Sequence, residues 1–224
     1  MRYLRSFIFW LFLVIFIIFL GSIAPFFKNK TRSFQKLVGF CSKLLLIFSF
    51  TKVKVEGELS SLQKNKPFLI AVNHSSFIDS FILLGKLPCL FRFTVHPAGF
   101  RFPLLGKLYK TAGYIGVGQK DFKSAALLIR AFKNREKVVV YSAAAAGETE
   151  GEFSQNLIRL SEHFKVPILP IAIRGASNIL PLGKLAFGGQ SAVVKIGKPF
   201  AITSIERAAK ELKEEIIRLH SSAT

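Results

Sequence analysis

The sequence predicts an α/β fold, with a mostly parallel central sheet flanked by helices and preceded by an N-terminal membrane-embedded helix or two-helix hairpin. After residue 52, apolar segments of strand length alternate with segments whose apolar residues recur at helical spacing. Before it, residues 7–27 contain no charged side chain. We therefore divide the 224 residues into a membrane anchor at 1–51 and one globular domain at 52–224.

The first apolar segment, residues 7–27, is long enough to cross a membrane as a helix. At about 1.5 Å per helical residue it reaches about 30 Å, the thickness of a hydrocarbon core. A cleaved signal peptide is the alternative, but the apolar run is too long for one. The second apolar segment, at 37–50, is shorter and interrupted by Lys43. We expect it either to pair with the first as a hairpin in one leaflet or to lie in the interface.

A basic link separates the two apolar segments and contains Lys28, Lys30, Arg32 and Lys36. More positive charge follows the first helix than precedes it. The expected location is therefore the cell (inner) membrane, with the globular domain facing the cytoplasm. The cysteines, Cys41 and Cys89, give neither a disulfide framework nor metal-ligand spacing, which is typical of a reducing compartment.

The formal net charge of +19 calls for an anionic partner. The basic residues are scattered among Phe, Ile and Leu, and the chain carries a membrane anchor. An anionic membrane surface, an anionic substrate or an acidic carrier protein explains the charge better than nucleic acid does. A nucleic-acid binder would lose affinity steeply with salt, whatever its histidines do.

Strands are predicted where short runs are uniformly apolar or alternate between apolar and polar residues. Val53–Gly57 alternates, whereas Phe68–Val72 is apolar throughout and Lys137–Tyr141 is strongly β-branched, as buried strands are. The other predicted strands are Leu90–Val95, Gly113–Val117, Val166–Ile173 and Ala192–Ile196.

Helices are predicted between these strands. Lys123–Asn134 places its apolar residues on one helical face. The last helix, Ser204–His220, is expected to begin with a capping box formed by Thr203 and Glu206. The other predicted helices are Phe77–Leu84, Pro103–Lys110 and Asn156–Phe164.

The candidate site follows the buried strand Phe68–Val72, in the run Asn73-His74-Ser75-Ser76-Phe77-Ile78-Asp79. Open α/β folds place their chemistry at such strand ends. If His74 lies in the loop and Asp79 lies early in the next helix, the carboxylate can orient the imidazole and stabilise the imidazolium. The sequence has no G-x-S-x-G elbow, HExxH or CxxC, so the substrate would supply the attacking hydroxyl. A helix-capping aspartate beside a structural histidine is the alternative.

Three further motifs follow in order. Phe102–Gly106 reads aromatic-Pro-x-x-Gly, Gly113–Val117 forms a second motif, and Val166–Ile173 reads V-P-I-x-P-x-x-I. Together with Asn-His-x-x-x-x-Asp they resemble the 1-acylglycerol-3-phosphate O-acyltransferase family of glycerolipid acyltransferases, from about residue 37 to the C-terminal helix.

The resemblance implies an enzyme that moves an acyl group from an acyl thioester to the sn-2 hydroxyl of lysophosphatidate, making phosphatidate. The donor would be an acyl carrier protein or coenzyme A thioester, with no cofactor and no metal. His74 would be the general base and Asp79 its orienter. Asn73 would belong to the substrate-binding part of the motif, without a defined role.

Two departures from the family pattern affect the acceptor pocket. The second motif normally ends in Arg, where this chain has Gly118, Gln119 and then Lys120, so Lys120 would supply the positive charge for the acceptor phosphate. Lys107, Arg101 and Arg174 are further candidates for that phosphate.

The third motif, normally Phe-Pro-Glu-Gly-Thr-Arg, is replaced by a run with four alanines, Ala143–Ala146. The run is either a deliberate substitution or a natural divergence, in which Glu148 or Thr149, next to Gly147, would take over the substrate-binding role. A catalytically impaired or inactive member of the fold that still binds anionic lipid is therefore the alternative function.

Overall fold

A computed structural model describes residues 2–63, 66–117, 122–141 and 155–221. The N-terminal part forms a hairpin of two helices, α1 (Arg2–Ile23) and α2 (Thr31–Phe48), joined through a 3-10 turn at Ala24–Phe27. The guanidinium of Arg5, near the start of α1, donates to the carbonyl of Ser49 just beyond α2, so the two helices run antiparallel.

Within the described residues, seven strands form one sheet in the order β1-β7-β6-β2-β5-β3-β4. They are β1 (Lys52–Gly57), β2 (Phe68–Val72), β3 (Phe91–Val95), β4 (Ile115–Gly116), β5 (Lys137–Tyr141), β6 (Ile168–Arg174) and β7 (Ser191–Ile196). Only the β6–β7 pairing is antiparallel among the pairings of these described strands. The mostly parallel sheet predicted from the sequence is therefore confirmed.

Helices cover both faces of the sheet. They are α3 (Leu59–Gln63), α4 (Asp79–Lys86), α5 (Pro103–Ala112), α6 (Phe122–Lys133), α7 (Gln155–His163), α8 (Ala176–Ile179) and α9 (Ile205–Ser221), with a further 3-10 turn at Pro97–Arg101. Alternate residues of β2 point to opposite faces, so Ile70 and Val72 belong to one hydrophobic core and Leu69 and Ala71 to the other.

The first core also contains the N-terminal helices. Phe9 of α1 and Phe34 and Leu45 of α2 are fully buried beside side chains of α4 and β3. The other core lies between the sheet and the helices α6, α7 and α9. The N-terminal hairpin is thus one layer of the folded body, built from side chains that composition alone does not distinguish from lipid-facing ones.

Several sequence predictions need correction at element ends, and four of them are described here. The second N-terminal helix begins at Thr31 instead of residue 37, and α4 begins at Asp79 instead of Phe77. The predicted strand Gly113–Val117 contracts to the two residues of β4. Helix α9 is capped by Ser204, whose hydroxyl accepts from the Arg207 amide at 3.3 Å, so the Thr203–Glu206 capping box is wrong by one residue.

Candidate active site

The loop between β2 and α4 brings His74 and Asp79 together. His74 Nδ1 lies 3.0 Å from Asp79 Oδ2. The backbone amides of Ser75 and Ser76 donate to the same oxygen at 3.0 and 2.9 Å. The Asp79 side chain is fully buried and that of His74 is 30% exposed. The structure thus confirms the predicted contact between a loop histidine and an aspartate early in the next helix.

The contacts of Asp79 fix the tautomer of the imidazole. Because Oδ2 already accepts from two amides, an ionised Asp79 makes His74 Nδ1 the donor and leaves Nε2 as the nitrogen with a free lone pair. Burial raises the pKa of the Asp79 carboxyl, while His74 and the two amides oppose that rise. The loop can therefore hold a base and the carboxylate that orients it.

Two long-range braces fix the loop. The Asn73 amide donates to the Ile173 carbonyl at 2.9 Å and accepts from the Ile173 amide at 2.7 Å, which ties the end of β2 to β6. The Ser76 hydroxyl donates to the Leu180 carbonyl at 2.6 Å. Asn73 is only 2% exposed and braces the loop, and its place in the substrate-binding part of the motif stays a prediction.

Tyr141 is the site residue that sequence reasoning missed. Its ring stacks on the His74 imidazole with centroids 4.3 Å apart, and its hydroxyl lies 3.0 Å from Ser80 Oγ. Burial, more than the nearby Asp79 charge, raises the pKa of Tyr141 and keeps the phenol protonated. The pairing of Val72 with Tyr141 in the sheet brings the two rings together, and only the strand order reveals it.

An apolar cavity of about 380 Å³ opens beside His74. The N-terminal helices supply much of its wall through Leu13, Phe16, Leu20, Val38, Cys41 and Leu45. His74, Ser80 and Tyr141 form its polar end. The volume lies in the range of small-molecule sites, about 300–1,000 Å³, and the wall suits a hydrocarbon chain.

Several predicted site residues lie outside the described residues, namely Gly118, Gln119, Lys120, Gly147, Glu148 and Thr149. Arg174 is described, and it lies on the sheet face that α9 covers, because Ile171 and Ile173 alternate onto the face of the cavity. Burial and, secondarily, the charge of Arg174 lower the pKa of His220 on α9. The placement of Arg174 does not support the predicted contact with the acceptor phosphate.

The described ranges hold no candidate set of metal ligands, because no three His, Cys, Asp or Glu side chains group together there.

A family model described as Acyltransferase matches residues 52–174, more than half of the chain. The chain belongs to the acyltransferase family. The resemblance indicated by the sequence motifs is thereby confirmed.

This acyltransferase is similar to two curated plant proteins. The chloroplastic 1-acyl-sn-glycerol-3-phosphate acyltransferase LPAT1 of Arabidopsis thaliana is 22% identical over 178 residues, which cover 77% of this chain and 50% of that protein. The chloroplastic 1-acyl-sn-glycerol-3-phosphate acyltransferase BAT2 of Brassica napus is 24% identical over 171 residues, which cover 71% and 48%. The acyltransferase therefore spans about half the length of these curated relatives.

The fold of the acyltransferase is shared with a solved structure. The 1-acyl-sn-glycerophosphate acyltransferase PlsC of Thermotoga maritima superposes with a TM-score of 0.82 and 20% identity, covering 97% of this chain and 93% of that one. The likeness includes the N-terminal helices, because nearly the whole chain is covered. It confirms the predicted α/β fold with its apolar N-terminal helix.

Proposed function

We propose that this acyltransferase transfers an acyl group from an acyl thioester to the sn-2 hydroxyl of 1-acylglycerol 3-phosphate and so makes phosphatidate. The observation that carries the proposal is the contact of His74 with the buried Asp79, at the polar end of an apolar cavity. The names of the relatives support this acceptor.

His74 would act as the general base through Nε2. The acceptor hydroxyl passes its proton to Nε2 while its oxygen attacks the thioester carbonyl carbon, and Asp79 stabilises the imidazolium that forms. Collapse of the tetrahedral intermediate breaks the carbon–sulfur bond. The imidazolium then returns the proton to the departing thiolate, so the enzyme ends the cycle unchanged.

The acyl chain would occupy the cavity beside His74. Its wall is formed by α1, α2, α4 and α5, and the polar side chains gather where the thioester would react. Burial of the chain holds the carbonyl near the base, which makes the attack effectively intramolecular. The donor would be an acyl carrier protein or coenzyme A thioester, and the net charge of +19 favours the acidic carrier protein.

The N-terminal hairpin supports a location on a membrane surface. One helix, Arg2–Phe27, is long and apolar enough to span a bilayer by length and composition, which alone is weak support. The buried side of α1 contacts the globular body at both ends, through Arg5 at residues 188–189 and through Gly21 against Leu104. Its opposite side exposes Leu4, Phe7, Leu11, Val14 and Ile18.

We infer that the hairpin lies in one leaflet of the inner membrane, with the catalytic body on the cytoplasmic side. A helix that is attached along its length to a polar domain cannot cross the bilayer without drawing that domain in. In-plane insertion would also place the acyl cavity beside the bilayer that holds the lysophosphatidate acceptor.

A second candidate function, lipid binding without turnover, is favoured by the alanine run Ala143–Ala146 in place of the third motif. The experiment that tests both is formation of phosphatidate by the purified chain, supplied with lysophosphatidate and with each thioester in turn. A matched protein would carry Pro-Glu-Gly restored within the run. Turnover by both proteins supports the acyltransferase, whereas turnover only by the restored protein supports the binding function.

A further inference from the structure

A groove that is separate from the acyl cavity lies at the other end of the sheet from His74. It runs between the first turns of α2 and the amino ends of β3 and β5, whereas His74 follows the carboxyl end of β2. Its basic part, here called the head cavity, has a volume of about 350 Å³. The charged residues of the head cavity are Arg32, Lys36, Arg92, Arg135, Glu136 and Lys137.

The head cavity has an excess of positive charge. Its one carboxylate, Glu136, is neutralised by Arg92, with contacts of 2.6 Å to Nε and 2.8 Å to the terminal guanidinium nitrogen. Arg32, Lys36 and Arg135 are exposed, and none forms an ion pair within the described ranges. Lys137 adds a further cationic side chain, which is only 8% exposed.

The first turn of α2 adds to this charge. Thr31, its first residue, lines the head cavity, and Lys30 at the helix N-cap offers no side-chain cap. The positive end of an 18-residue helix therefore meets the same space as the cations. An anion bound there would neutralise the positive charge of the groove.

The groove continues as an apolar part, here called the tail cavity, with a volume of about 420 Å³. The head and tail cavities share Gln35, Lys36, Leu90 and Phe91, so they are parts of one groove. The tail cavity is walled by Phe40, Leu84, Leu87 and Pro88. Phe40 is 57% exposed, which leaves a large apolar surface open to a ligand.

Helix α2 separates the groove from the acyl cavity beside His74. Val38, Cys41 and Leu45 face the acyl cavity, whereas Lys36, Phe40 and Lys43 line the groove on the other side of the helix. A ligand in the groove would therefore not occupy the space assigned to the acyl chain.

We propose that the groove binds one anionic glycerophospholipid, with its phosphate among Arg32, Lys36 and Arg135 and an acyl chain along Phe40 and Leu87. The division of the groove into a cationic part and an apolar part matches an amphiphile. A soluble phosphate compound would leave the tail cavity unfilled. The site is independent of the proposed reaction, because it needs neither His74 nor the acyl cavity.

The test uses the full chain, purified and delipidated in neutral detergent, with dioleoylphosphatidylglycerol as the probe and native mass spectrometry as the readout. We expect the protein to retain one equivalent of this lipid and to retain dioleoylphosphatidylcholine poorly. The combined variant Arg32→Gln, Lys36→Gln, Arg135→Gln should weaken retention by about a hundredfold, since each cation near an anionic headgroup contributes about a factor of five.

A matched control removes the same charge elsewhere. The variant Lys198→Gln, Arg207→Gln, Lys210→Gln changes three exposed cations at and before α9 and should retain the lipid within about twofold of wild type. Equal losses in the two triple variants, or equal retention of both lipids by wild type, would overturn the proposal.

Phe40→Ser separates a lipid from a soluble phosphate. It removes an exposed apolar side chain, so it should leave the fold intact and weaken lipid retention severalfold. Glycerol 3-phosphate is the soluble probe. Displacement of the lipid by millimolar glycerol 3-phosphate, with Phe40→Ser as strong a lipid binder as wild type, would contradict the lipid assignment.

Discussion

The ring of Tyr141 stacks on the imidazole of His74, with centroids 4.3 Å apart and planes inclined by 25°. On its other side Tyr141 stacks on Phe93 at 5.7 Å, so the tyrosine ring is held between the base and the core. The face of an aromatic ring stabilises a neighbouring cation. Tyr141 therefore positions His74 and favours the imidazolium that the proposed reaction forms.

The Tyr141 stack can be tested with two substitutions. Tyr141→Phe keeps the stacked ring and loses only the contact with Ser80, so we expect kcat to stay within about threefold of wild type. Tyr141→Leu removes the aromatic face, and we expect kcat to fall about tenfold or more, as the loss of about 1.4 kcal/mol would cause. Steady-state kinetics with lysophosphatidate measures both. A Tyr141→Leu protein with wild-type kcat would rule out this role.

The substitution Asp79→Asn should change both the catalytic rate and the stability of the fold, and the two effects can be measured separately. The variant keeps an oxygen for the amides of Ser75 and Ser76 but removes the charge that stabilises the imidazolium. We expect kcat to fall by about 10²–10⁴-fold.

The stability of Asp79→Asn should depend on pH in a defined direction. Burial raises the pKa of the Asp79 carboxyl, so the folded wild type binds a proton more readily than the unfolded chain does. The wild type thus gains stability relative to the variant as pH falls through the folded pKa towards about 3.9, and loses it as pH rises. Denaturant unfolding at several pH values measures the difference. A difference that grows in favour of wild type with rising pH would contradict the burial effect.

Arg5 attaches α1 to the globular body. Its guanidinium donates to the carbonyls of Ser49 at 2.9 Å and Gly189 at 3.1 Å, and it lies 5.2 Å from the Phe187 ring centroid. Arg5→Met removes this donor from the buried Ser49 carbonyl and the partly buried Gly189 carbonyl, and we expect the free energy of unfolding to fall by about 2–4 kcal/mol.

The matched control for Arg5 is Arg2→Met, which changes an exposed arginine on the same helix. We expect it to alter the free energy of unfolding by less than about 0.5 kcal/mol. Denaturation in detergent micelles compares the two variants. Equal stability of both would show that the buried contacts of Arg5 contribute nothing to the attachment.

In-plane insertion of the hairpin predicts that both ends of α1 lie on the same side of the membrane. Arg2→Cys and Lys28→Cys place thiols at exposed positions at the two ends of the apolar stretch. We expect an impermeant maleimide to label both from the cytoplasmic side, above the background of wild type with its two cysteines. Labelling of Arg2→Cys only from the opposite side would indicate a spanning helix.

The layered fold and the His74–Asp79 pair could be predicted because both depend on residues that are close together in the sequence. Strand and helix periods appear within short windows, and a five-residue offset places the pair across one loop and one helix start. The braces of this loop could not be predicted. Asn73 reaches Ile173, and Tyr141 reaches His74, only through the strand order β6-β2-β5.

The role of the N-terminal segments was only partly predictable for a related reason. Phe9 and Phe7 have the same hydrophobicity, yet Phe9 is fully buried against the globular body and Phe7 is largely exposed. Hydrophobicity records that a side chain avoids water, but lipid and protein interior satisfy it equally. The division of α1 into a protein-facing and an outward-facing side needed the packed structure.

The most direct measurement is the rate of phosphatidate formation by His74→Ala beside His163→Ala. His163 is an exposed histidine on α7, on the other face of the sheet from the cavity. With lysophosphatidate and an acyl thioester, we expect His74→Ala to lose at least about 10²-fold in kcat, while His163→Ala keeps the wild-type rate. Acyl transfer at the wild-type rate by a folded His74→Ala protein would contradict the assignment of His74 as the base.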